Sequence, residues 1–150
     1  MAQITVDSTD MPSIGDTAVM GIDTAAPAGL LVLGTGAQTW DFTSIQVDEF
    51  DTMIFVDPST TPYGADFPTA NLALQGATNT YQTLDTNALI TVGQAGADPF
   101  GAGATVSAAF SPTQTIITLP STGGTTFSDT SGFDQTIETG SLGLPVPDVD

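Results

Sequence analysis

A chain of 150 residues with 17 acidic side chains and no lysine, arginine or histidine carries a formal charge of −17 at neutral pH. Such a surface cannot displace the counterions of a phosphate backbone or settle on an anionic bilayer, which excludes nucleic acid and anionic membranes as partners. The same deletion removes the base of a serine or cysteine triad, the amine of a Schiff base, the P-loop lysine and every histidine or cysteine metal ligand.

The length suits one domain over residues 1–150, able to bury about 70% of its unfolded surface. Hydrophobic residues make up 40% of the chain, so a core is within reach without disulfides, and no cysteine is present to form one. Charged residues are 11% of the chain against about 25% in ordinary globular domains. Since basic residues alone account for about an eighth of a typical chain, their complete absence is not a sampling accident. The longest apolar run, at 25–34, contains a proline and two glycines. It is too short to span a bilayer, so no membrane insertion is expected. No positively charged stretch precedes it, which also argues against a signal peptide.

In chain order, "QITVDST" at 3–9 alternates Ile4 and Val6 with Thr5 and Asp7, the period of a half-buried strand. Pro12 and Gly15 punctuate a turn before a second strand at 16–22. "TWDFTSI" at 39–45 places Trp40 and Phe42 on one face. "FDTMIFVD" at 50–57 is more continuously apolar and reads as a central strand covered on both faces. "GADFPTA" at 64–70 is the best candidate for a single helical turn. Short strands are expected at 71–76, 79–85, 88–92, 105–110, 113–119, 124–129 and 133–139. The glycine-rich stretch 93–104 reads as the longest loop. Eleven short strands without a 3.6-residue period define an all-β chain, an antiparallel β-sandwich or jelly roll in a single domain.

Four segments carry a resemblance: "AQITVDSTDMPSIGDT" (2–17), "GAQTWDFTSI" (36–45), "FVDPSTTPYGADFP" (55–68) and "GLPVP" (143–147). They are similar to the N-terminal β-rich region of secreted Bacteroidetes surface proteins of the type IX secretion class. The resemblance implies export and a secreted or cell-surface location. It brings no catalytic residue with it.

The remaining chemistry belongs to carboxylates, hydroxyls, amides and two tyrosines. Asp48, Glu49 and Asp51 could in principle pair as the two acids of a glycosidase. Adjacent acids at a strand entry read instead as a solvated edge that blocks sheet-to-sheet pairing. Calcium, which takes six to eight hard oxygen ligands, is the cofactor this donor set suits. Its candidate ligands are Asp129, Ser131 and Asp134 around Gly132, and Asp7, Asp10 and Asp16 near the N-terminus. An aromatic platform for a glycan would draw on Tyr63 and Trp40, with Tyr81 and Phe67 as further candidates.

Two functions from different classes follow. The first is a non-enzymatic, extracellular, self-assembling β-domain, a fibre or surface-layer subunit forming a homo-oligomer or polymer with help from cations. Ile4 and Val6 on an extended N-terminal strand would then complete a neighbour's sheet. The alternative is a monomeric module that binds calcium or carbohydrate. With acids and no cations, mutual repulsion is expected to raise most carboxylate pKa values in the folded state, making stability fall as pH rises.

Overall fold

The computed structural model describes residues 4–25, 43–97 and 105–133. Among them the chain is all-β, with eight strands in two antiparallel sheets and no α-helix. The strands are β1 (Thr5–Val6), β2 (Thr17–Ile22), β3 (Glu49–Val56), β4 (Leu72–Gln75), β5 (Thr78–Leu84), β6 (Ala88–Ala97), β7 (Thr105–Thr118) and β8 (Ser121–Thr122). β1 and β8 form a two-stranded sheet, with Thr5 opposite Thr122 and Val6 opposite Ser121. The other six pair in chain order, β2-β3-β4-β5-β6-β7, so consecutive strands are neighbours throughout. By its contacts the chain divides into a small unit, Thr17–Met53, and a larger one made of the remainder.

The larger unit is built on the meander β4-β5-β6-β7. Ala73 on β4 lies opposite Tyr81 on β5, which lies opposite Gly93 on β6. Residues directly opposite in antiparallel strands share a face, so this row presents a single tyrosine between two small residues. Phe67 stacks on it, ring centroids 4.3 Å apart and planes within 16°. Tyr81 is 0% exposed, and Ala73, Ala95 and Phe67 complete the buried cluster, with Val56, Tyr63, Ala70 and Val92 packed around it. The buried phenol is satisfied by Thr61, whose Oγ1 lies 2.7 Å from the Tyr81 hydroxyl. On the opposite face Leu72, Gln82 and Thr91 are aligned across three strands and are also buried. The centre of this sheet is therefore covered on both sides.

Phe67 reaches that position from a stretch of tight turns. Asp57 opens a 3-10 turn at Pro58–Thr60 by accepting the Ser59 amide at 2.9 Å, and a second 3-10 turn follows at Gly64–Asp66, within the helical turn expected at 64–70. The expected loop at 93–104 is corrected over its described part, because β6 runs on through Gly93 to Ala97. Those glycines mark close approach. A Cβ on Gly93 would sit 2.2 Å from a Phe67 ring carbon and 2.5 Å from the Ala108 carbonyl oxygen. Gly96 holds φ at +149° with the Ala77 carbonyl oxygen 2.5 Å from where its Cβ would be. The strands expected at 105–110 and 113–119 are one strand, β7, which passes through the Ser111–Pro112 bond. The strand expected at 124–129 is turn and coil, and of 133–139 only Phe133 is described, as an isolated bridge to Phe110. The segment 39–42 of the expected strand 39–45 lies outside the described residues.

Two substitutions test this core. Gly93→Ala pushes against both a ring and a backbone carbonyl, and we expect it to cost about 1–3 kcal/mol, the range for overpacking. Tyr81→Phe keeps the stack but removes the bond to Thr61, with an expected cost of about 1 kcal/mol. Urea denaturation monitored by circular dichroism should give lower midpoints at unchanged slope for both.

Candidate functional site

With no cationic side chain available, the carboxylates find backbone amides. Asp7 and Asp10 form a reciprocal capping box. Asp7 Oδ1 accepts from the Thr9 amide (2.8 Å) and the Thr9 hydroxyl (2.6 Å), and Asp10 Oδ2 accepts from the Asp7 amide (3.0 Å). Asp16 accepts the Ser13 amide at 2.7 Å. Asp85 receives the amides of Asn87 and Ala88. In the small unit Asp23 takes the amides of Ala25 and Gln46, and Asp48 takes the amide and hydroxyl of Thr24. Asp129 accepts the Thr115 amide from β7 and the amide of Thr130. Short Asp side chains bonding backbone one to three residues away are ordinary turn chemistry. The pairs Asp23–Gln46, Asp48–Thr24 and Asp129–Thr115 reach across 14 to 24 residues and tie separate segments together.

This bonding sets the direction of the resolved titration shifts. The Thr9 hydroxyl and amide hold Asp7 below the ordinary carboxylate value of 3.8. The Ser59 hydroxyl and amide do the same for Asp57. Asp129 is lowered first by the Thr115 amide, then by its hydroxyl and the Thr130 amide. The expectation of raised values from mutual repulsion is therefore reversed at all three. The physical reason is distance: donors within 2.6–2.9 Å of Asp7 and Asp57 act at full strength, whereas exposed like charges beyond about 8–10 Å are screened at physiological ionic strength.

The calcium candidates are placed as follows. Asp7 and Asp10 meet in the capping box, Asp16 sits in a separate turn, and Asp129 is committed to Thr115, with Ser131 exposed beyond it. Asp134 lies outside the described residues. No group of three or more acids among the described residues is arranged to hold a metal ion. Of the aromatic candidates, Phe67 and Tyr81 are core, and Tyr63 is half-buried against that core rather than presented to a ligand. Trp40 lies outside the described residues. A cleft of about 390 Å³ opens beside the core, lined by Asp57, Pro58, Pro62, Phe67 and Pro68 among others. Ile4 is 80% exposed and Val6 half-buried. The backbone of Thr5–Val6 is paired with β8 of the same chain, so donating this strand to a neighbour would first break that pairing.

The feature the sequence reading missed is the small unit. It exposes Val19 (64%), Met20 and Ile22 on β2, Phe50 (74%) on β3 and Val47 just before β3. The expectation that 50–57 is covered on both faces is thus corrected for its first half. Successive strand residues point to opposite faces, so Val19 stands on one face and Met20 and Ile22 on the other, and exposed large apolar side chains are candidates for interaction. β2 is also the terminal strand of its sheet, and unpaired strand edges are templates for further pairing. The period-2 alternation of 16–22 carries the signal for a strand but not for what covers it.

No family model matches the chain, no curated protein matches its sequence, and no solved structure matches its fold.

The lowered carboxylates fix the sign of the acid response. A folded-state pKa below the unfolded one means the native state binds fewer protons, so each group contributes stability above the unfolded value and loses it as pH falls through 3.8 toward the lowered folded value. Urea midpoints in EDTA should therefore hold from pH 7 to about 5 and drop toward pH 3. The triple variant Asp7→Asn, Asp57→Asn, Asp129→Asn should flatten that limb. A wild type more stable at pH 3 than at pH 7 would show that repulsion dominates.

Proposed function

We propose that the chain is a non-enzymatic structural β-domain that self-assembles at a secreted or cell-surface location, through the apolar surface of its small unit. The observation that carries this reading is the exposure of Val19 and Phe50 on the adjacent strands β2 and β3, β2 being the terminal strand of its sheet among the described residues. Burying two such side chains is worth about 1.5–3 kcal/mol each. The occupant is a second copy, because two identical edges pair antiparallel in an isologous contact that satisfies both. The formal charge of −17 opposes approach, so assembly requires divalent cations or salt to shorten the range of repulsion.

Sedimentation velocity in EDTA and in millimolar calcium, at equal ionic strength, tests the reading. The wild type should sediment as larger species with calcium and as a monomer without it. The Val19→Ser, Phe50→Ser double variant should stay monomeric in both, its self-association weakened by at least about tenfold for the apolar area lost. Deleting residues 2–9 should leave assembly in place. A wild-type monomer in both buffers would overturn the proposal and favour a calcium- or carbohydrate-binding monomer.

A further inference from the structure

The other terminal strand, β7, is treated differently from β2. Its outer edge is covered by residues 129–133. The Ser111 amide donates to the Gly132 carbonyl at 2.7 Å, Phe110 bridges and stacks on Phe133 with centroids 5.7 Å apart, and the Thr115 amide donates to the Asp129 carboxylate. Three contacts thus close an edge rich in Thr and Ile, which would otherwise present unpaired amides next to the exposed Ile116. Charged side chains and covering segments are the usual ways of blunting such an edge.

We propose that Asp129–Phe133 is an acid-released strap: docked, it closes the outer edge of β7, and protonation of Asp129 frees that edge to pair with β7 of a second copy. This is independent of the small-unit reading, involving a different edge and a different trigger. The strap residues are exposed except for half-buried Gly132. Segments with few buried contacts open at low cost, so the hydrogen bonds to β7 decide the state. One of those bonds is charge-assisted, roughly twice as strong as its neutral counterpart, and it is lost as such on protonation. One other carboxylate bonds to β7, Asp66, which accepts the Ser107 hydroxyl at 2.9 Å near the start of the strand. Asp129 is the only titratable side chain between Thr105 and Phe133, and β6, the strand on the other side of β7, has none. Asp134 follows the strap and lies outside the described residues.

The occupant follows from charge. Most proteins become strongly positive in acid and repel again. This chain has no side chain that can turn positive, so acid removes the repulsion between copies and does not replace it. The hydrogen bonds that lower Asp129 keep the strap docked to a pH below the ordinary carboxylate value. Two copies then meet at equivalent edges, and their amides satisfy one another.

Amide exchange followed by NMR on the full chain tests the strap apart from any assembly. At pH 5 the Ser111 and Thr115 amides should be protected in the wild type. At pH 3, with rates corrected for intrinsic exchange, both should lose protection by about tenfold or more while the amides of β5 stay protected. Asp129→Ala should lack this protection at both pH values, and Asp129→Asn, the neutral analogue of the protonated acid, should show at pH 5 the reduced protection the wild type shows at pH 3, with no dependence on pH. Sedimentation velocity at pH 3 then reads the pairing. The wild type should associate, and Thr115→Pro, which removes an outward donor at an edge position that tolerates proline, should not. Val19→Ser, Phe50→Ser should associate at pH 3 like the wild type. Protection unchanged by pH or by Asp129→Ala would overturn the strap. Lost protection with a monomer at pH 3 would overturn the pairing, whatever the small unit does in calcium.

Discussion

The constraint on which this molecule depends is the absence of any cationic side chain. Each carboxylate must be satisfied by water, by a neutral side-chain donor or by the backbone, and the described ones repeatedly choose the backbone. That choice has structural consequences beyond charge. A salt bridge links two side chains and leaves the main chain free, whereas an aspartate that accepts an amide fixes a turn or fastens one segment to another. Asp7 and Asp10 lock the turn after β1, Asp57 starts the turns that deliver Phe67, and Asp129 holds residues on the edge of β7. The acids do for the turns and edges what apolar packing does for the sheet.

Apolar packing is concentrated in one place. The Tyr81–Phe67 stack sits where the two strands flanking Tyr81 offer small residues, and the glycine at 93 lets the Phe67 ring approach the sheet. A larger residue at 93 would hold the ring off and open a gap over Tyr81. The turns at 57–66 therefore belong energetically to the core, because their geometry decides where Phe67 lands. Among the described residues of the small unit, the larger apolar side chains are mostly exposed.

What was legible in the sequence follows from what each signal encodes. Alternation is a local property, so β2, β4 and β5 fall within a residue or two of their expected places. Glycine is ambiguous, because conformational freedom and close approach use the same residue. The stretch from 93 was read as a loop, and only the position of Phe67, 26 residues earlier, makes it a strand. Pro112 likewise marks a break in most strands, yet an edge strand can accommodate a proline. Phe67 and Tyr81 were counted among ligand-facing aromatics because exposure is not written in a side chain's chemistry. For the acids the donor set was visible and the partners were not. Asp129 looked like a calcium ligand in "DTSGFD", and nothing local to it names Thr115.

The two ends of the strand order also differ in what they permit. A β2 edge, terminal among the described residues, that pairs only with another β2 edge closes on itself, because an isologous contact uses up the surface that made it. A chain with one such edge forms dimers and stops. A chain with two self-complementary edges, at opposite ends of the strand order, can alternate between them without limit. On the proposals above, covering β7 is what separates a closed assembly from an open one. Charge alone cannot provide that control in acid, since this chain has no positive state to retreat to. The guard must therefore be a contact, and a single carboxylate placed on a strand otherwise free of titratable groups ties that contact to the same protons that remove the charge.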